Sequence, residues 1–163
     1  MLPHKAHHKP LARRTRLSPG EKRLARSGNY GGELKARPYR SLTTRKGIKD
    51  ELDRVTSLLV RARDGRCVTC GTTEDLQCSH YFKRTFLATR WNLQNCNAQC
   101  ARENEEHNKN PFRYRKYMVS RIGEDGLDAL FKLRNSVWRP TDDELRALLD
   151  DYRRQLREMR KAA

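Results

Sequence analysis

Two thiols separated by two residues, Cys67 and Cys70 in the stretch CVTCG, can grip a single zinc ion. The tight turn points both sulfurs inward, and Gly71 lets it close. Cys100 follows about thirty residues later and supplies a third thiol at zinc-site spacing. The position that would complete a second C-x-x-C is Glu103, within NCNAQCARENEEHNKNP. A carboxylate can ligate zinc, so Glu103 is the favoured fourth ligand. Cys96, which forms a C-x₃-C pair with Cys100, and His107 stay open as alternatives. The stretch between the Cys pairs has few large apolar side chains, and bound zinc would supply the missing folding free energy. Cys78 lies between Gln77 and Ser79 and reads as a small buried hydrophobe.

A second chemistry follows the first along the chain. DLQCSHYF alternates enough to be a short strand and carries His80; Asn95, Cys100 and a polar helix come next. That order resembles the HNH, or ββα-metal, nuclease motif. There the His at the end of the first strand is the general base on water, and the Asn positions it through backbone contacts. A residue on the helix helps hold one divalent cation against the scissile phosphate. The residue types suit phosphodiester hydrolysis. An imidazole titrating near neutrality can deprotonate water, and a cation offsets charge developing on phosphate and leaving oxygen. The resemblance implies His80 as base, Asn95 as its positioning residue and Asn104 as a holder of Mg²⁺ or Mn²⁺. His107, one turn after Asn104 on the same helix face, is a second candidate. Many HNH enzymes place an acidic metal ligand just before the base, and this chain has Ser79 there.

The strings CVTCG, SHYF, RWNLQNCNAQC, YRKYMVSRIG and DDYRRQLREM occur in that order. Together they are similar to the lambda-type phage recombination protein family NinG, also called Rap, over roughly residues 60–160. The resemblance implies a structure-directed DNA endonuclease acting on branched recombination intermediates in the cytoplasm of the bacterial host. Its partner would be DNA, and a homodimer is one arrangement that would cut two strands. Cys100 matches the first Cys of the family's second C-x-x-C, and Glu103 stands where the family has Cys. Cys96 stands where the family has an aliphatic residue, which favours core packing for it. The alternative reading is a non-enzymatic zinc-ribbon DNA-binding protein, a degenerate nuclease.

These groups need elements to position them. The sequence predicts an α+β chain, mostly helical. A small zinc-stabilised ββα-metal core at 67–110 is expected between a basic amphipathic helix at 41–66 and C-terminal helices at 111–163. A basic, disordered arm is expected over 1–40, where no apolar periodicity exists. Ile48, Leu52, Val55, Leu59 and Ala62 form one helical stripe, stopped by Gly65. WNLQNC is the expected partner strand of DLQCSHYF, and a helix is expected to begin near Cys100. Asn110 and Pro111 read as the N-cap and first residue of another helix, ended by Gly123. A shorter helix follows in EDGLDALFKL. Thr141 and Glu144 have capping-box spacing at the start of the last helix, whose Leu145, Leu148, Leu149, Tyr152, Leu156 and Met159 share a face.

Charge points to the partner. The chain of 163 residues carries a net charge of +16. Residues 1–66 hold 18 basic and 6 acidic residues, whereas 67–163 hold 18 and 14. An excess so one-sided favours a polyanion, nucleic acid before a membrane surface. Lys46, Lys49 and Arg61 on the first helix, with Lys83, Arg84 and Arg90 near His80, are the expected phosphate contacts. No apolar run is long enough to span a bilayer, and no signal-peptide core is present. Five cysteines in a reducing compartment then read as ligands or buried thiols rather than disulfides.

Overall fold

The computed structural model describes residues 42–162; the arm expected over 1–40 lies outside them. Helix α1 (Arg45–Asp64) leads to strand β1 (Leu76–His80), a 3-10 turn (Leu87–Thr89) and strand β2 (Cys96–Cys100). Helices α2 (Ala101–Glu106), α3 (Phe112–Asn135) and α4 (Asp142–Ala162) complete the chain. Among the described residues the architecture is mostly helical α+β, with one two-stranded sheet. No helix among the described residues is long and apolar enough to cross a membrane.

Local chemistry sets most boundaries. Thr44 Oγ1 accepts from the Gly47 amide at 3.0 Å and caps α1, and Gly65 ends it at φ 65°. A left-handed residue past a helix end costs glycine nothing sterically. Ile48, Leu52, Val55 and Leu59 are fully buried, and α1 packs along α4 and against the hairpin. Ala62, expected on the stripe, is exposed, and Val60 is buried in its place against Cys96 and Ala98. The cause is that α1 has two partners in different directions, and its last turn faces the hairpin.

In α4, Thr141 and Glu144 form the expected reciprocal box. The Thr141 amide donates to Glu144 Oε2 at 2.6 Å, and the Glu144 amide donates to Thr141 Oγ1 at 3.2 Å. Leu145, Leu149, Tyr152 and Leu156 are buried, while Leu148 and Met159 are only half-buried. Between the two helices lies the fully buried Glu51 carboxylate. Burial opposes its charge, but bonds from Arg54 and Arg153 outweigh it and hold its pKa below the ordinary range.

The partner of β1 is not WNLQNC. It is CNAQC, with Leu76 opposite Cys100 and His80 opposite Cys96. Asn92 explains the shift: its Oδ1 accepts from the Gln94 amide at 2.8 Å, so the chain turns before it can extend. Helix α3 begins at Phe112, with Pro111 in the cap position rather than the first helical one; Asn110 Oδ1 accepts from the Phe112 amide at 3.1 Å. At Gly123 the backbone leaves the helix (φ 72°, ψ 173°), which separates the two helical stretches expected there. That conformation is accessible almost only to glycine. Gly123→Ala is therefore expected to cost about 1–3 kcal/mol, measured by urea unfolding. An unchanged midpoint would show that the break is not conformationally required.

Candidate metal centre and active site

The CVTC turn forms a knuckle against β2. The Cys67 amide donates to the Thr72 carbonyl at 2.7 Å, and the Gly71 amide, at φ 80°, donates back to the Cys67 carbonyl at 2.8 Å. A bond from the Val68 amide to the Ala98 carbonyl (2.8 Å) ties the knuckle to the strand that ends in Cys100. The sulfurs of Cys67, Cys70 and Cys100 consequently lie within 4.8 Å of one another, with Cys70 and Cys100 at 3.7 Å. Two thiolates on a tetrahedral zinc, each at about 2.3 Å, stand about 3.8 Å apart, so the spacing suits that ion. Burial raises the Cys67 pKa, but hydrogen bonds from Thr69 Oγ1 and nearby amides outweigh burial and bring it down to about 7. The donor set fits zinc, and these three side chains would hold it.

None of the three expected fourth ligands joins them. Glu103 is buried, and its carboxylate takes Arg113 at 2.8 Å instead. Cys96 cannot reach, because it begins the strand that Cys100 ends. Four steps of about 3.3 Å put the two residues about 13 Å apart. A C-x₃-C pair shares one metal on a helix or turn, not along an extended strand. His107 stacks with Tyr81 and meets Tyr114 edge-on, and its Nε2 bonds to the Tyr81 carbonyl at 3.2 Å.

His80 closes β1, and its surroundings come from three elements. Its Nε2 lies 2.9 Å from the Arg90 carbonyl. A carbonyl only accepts, so in the neutral ring Nε2 carries the proton and Nδ1 keeps the lone pair. Burial lowers the His80 pKa, outweighing the Arg90 carbonyl and Asp53, which raise it; the Arg84 and Arg90 charges lower it further. The neutral form of the imidazole is thus favoured.

Asn95 builds the loop that presents the Arg90 carbonyl. It is fully buried. Its Oδ1 accepts from the Phe82 amide at 2.8 Å, and its Nδ2 donates to the Phe82 and Thr89 carbonyls, both at 3.0 Å. Its own carbonyl accepts from the Tyr81 amide, one residue past His80. Asn95→Ala would leave several buried backbone groups unpaired, each costing about 1–3 kcal/mol. The expected result is a loss of at least that size by chemical unfolding, with the His80 imidazole resonances displaced in NMR. Unmoved resonances would rule out the positioning role.

The helix residues expected to join His80 lie elsewhere. Successive strand residues point to opposite faces. Cys78 and the Cys96 beside His80 pack with Val60 of α1. The other face, with Gln77 and Ser79, meets α2 and α3: Asn104 Nδ2 donates to Gln77 Oε1 at 2.9 Å, and Tyr114 Oη to the Ser79 carbonyl at 3.4 Å. Asn104 and His107 therefore sit across the hairpin from His80. The donors expected to hold Mg²⁺ or Mn²⁺ do not converge beside His80, and Ser79 offers a buried hydroxyl rather than a carboxylate.

The expected phosphate contacts also divide. Arg90 forms a two-pronged pair with Asp53 at 2.9 and 2.6 Å, and Trp91 Nε1 reaches the same carboxylate at 2.8 Å. Arg61 is drawn to the Ser57 carbonyl at 3.0 Å, and Lys46 pairs with Asp50 at 2.5 Å. Lys49 is half-buried, while Lys83 and Arg84 are exposed on the loop after His80. Arg90 thus anchors this loop to α1 rather than offering a free guanidinium. Sequence reasoning missed Asp53, whose role depends on which residue it faces, and Arg63, which holds the Leu93 and Cys96 carbonyls, both at 2.9 Å. Neither stands out by spacing.

A family model described as Bacteriophage Lambda NinG protein matches residues 5–162. Among curated relatives, Protein ninG of Escherichia phage lambda is 32% identical over 103 residues, covering 61% of this chain and 50% of the relative. Protein ninG of Escherichia phage 933W is 31% identical over 103 residues, covering 61% and 51%. The chain spans about half the length of the curated relatives it matches. No solved structure matches it.

Proposed function

Because the chain belongs to the bacteriophage lambda NinG family, we propose that it is an HNH-like endonuclease acting on branched DNA during phage recombination, with His80 as general base. The observation that carries this reading is the His80 environment. Its Nε2 is committed to the Arg90 carbonyl on a loop that Asn95 stitches together, which leaves an uncharged Nδ1 to accept a proton. In the proposed step Nδ1 takes a proton from water as the water oxygen attacks phosphorus. The bond from phosphorus to the leaving oxygen then breaks, and that oxygen takes a proton from solvent. Exposed Lys83 and Arg84 beside the base would hold the backbone phosphates. Zinc on Cys67, Cys70 and Cys100 would hold the end of β2 and the start of α2 in place. Among the described residues, the expected donors do not form a Mg²⁺ or Mn²⁺ site beside His80, so no step is assigned to such an ion.

That same misfit favours a second reading, a zinc-containing DNA-binding protein with a degenerate nuclease site. Purified full-length chain, incubated with an end-labelled four-way junction and a series including Mg²⁺ and Mn²⁺, separates the two. Strand nicks are the expected result. A retarded complex without nicks in every ion would establish the binder.

A further inference from the structure

Three other donors meet away from the knuckle. The sulfurs of Cys78 and Cys96 and one ring nitrogen of His80 all lie within 4.8 Å of one another. We propose that Cys78, Cys96 and His80 form a second metal site, which takes a thiophilic divalent ion such as Zn²⁺ and is separate from the three-cysteine knuckle.

Register creates the cluster. His80 and Cys96 are directly paired across the hairpin, and Cys78 is the next residue of β1 on that face. Cys96 and Cys78 are therefore diagonal neighbours on the α1 side of the sheet. With the sulfurs already within 4.8 Å, a contraction of at most about 1 Å would bring them to the roughly 3.8 Å separation of a tetrahedral zinc dithiolate. Two thiolates and an imidazole are three protein ligands with one position open, a common arrangement for an accessible zinc. Cys96 is fully buried, whereas Cys78 and His80 are partly buried, so an ion would reach the site past those two. The Arg63 guanidinium, bonded to the Cys96 carbonyl, places positive charge near the thiolate pair. Soft sulfur donors select Zn²⁺ over Mg²⁺, so the site would fill selectively in a magnesium-rich cell. On the nuclease reading, which this consequence rests on, an ion here occupies the imidazole that serves as base and switches cleavage off.

The test counts metal and needs no DNA. Full-length chain, reduced and stripped of metal, is titrated with Co²⁺ in excess Mg²⁺, and the sulfur-to-cobalt absorption is followed. Wild type is expected to bind two equivalents. Cys78→Ala and His80→Gln are each expected to bind one, with unchanged far-ultraviolet circular dichroism. Cys78 is small and only partly buried, so its truncation should leave the fold intact, and His80→Gln checks the same site by another ligand. A variant count equal to that of wild type overturns the proposal. Failure to nick DNA would sink the nuclease reading and leave this count unaffected.

Discussion

His80→Ala is expected to lower the rate of junction nicking by about 10²–10⁴-fold, the usual contribution of a general base, while leaving junction affinity unchanged. The separation of rate from affinity follows from placement. His80 lies in the sheet at the end of β1, half-buried, whereas exposed Lys83 and Arg84 on the next loop supply the cationic surface. Removing an imidazole whose neutral form is favoured takes away a proton acceptor and no phosphate contact. His107→Ala provides the contrast. Sequence reasoning puts His107 in the same catalytic group, but it faces Tyr81 and Tyr114 on the opposite side of the hairpin. Its truncation should lower stability through lost packing and leave the cleavage rate per folded molecule near that of wild type. Single-turnover cleavage and fluorescence anisotropy on the same preparations measure the two quantities. Equal nicking by His80→Ala and wild type would remove His80 from the chemistry.

The second large effect concerns the knuckle. Cys100→Ser is expected to release one zinc and to destabilise the segment 67–110 by more than about 4 kcal/mol, the size reserved for lost metals and similar defects. Zinc binding to small sites contributes about 10–16 kcal/mol in isolated fingers, because no site exists before folding. Here the loss should be local. The α1–α4 pair has its own buried leucines, and Glu51 joins the two helices through Arg153. The helical signal should therefore survive while limited proteolysis opens 67–110. Glu103→Ala is the informative companion. Had Glu103 been the fourth ligand, it would also release zinc. Its pairing with Arg113 instead predicts full zinc retention in native mass spectrometry, at the cost of two ion pairs, with Arg113 and more loosely with Arg102, whose arginines are largely exposed. Zinc loss from Glu103→Ala would return that carboxylate to the metal.

Some of this was legible without a structure, and the reason is range. A cap, a left-handed glycine or a C-x-x-C turn involves only a few consecutive residues. Thr141 with Glu144, Gly65, Gly123 and the CVTC knuckle could therefore be read directly. The order of strand, His, Asn, Cys and helix was also visible, because it is a linear string. Faces and partners were not. A strand reverses every side chain with a one-residue change, and cross-strand pairing depends on register, which the Asn92 turn set. Once β2 began at Cys96, that cysteine was carried about 13 Å from Cys100 and set beside Cys78 and His80. The same alternation moved Asn104 and His107 to the other side of the sheet. Arg90 was equally unreadable, since nothing local says that a guanidinium will find Asp53 37 positions earlier in the chain. The amino-acid sequence by itself determined the family, the local turns and the residue types able to bind zinc or move a proton. Tertiary structure alone decided which of those residues share a face, because contacts between elements depend on register and packing direction, and no short stretch of chain encodes either.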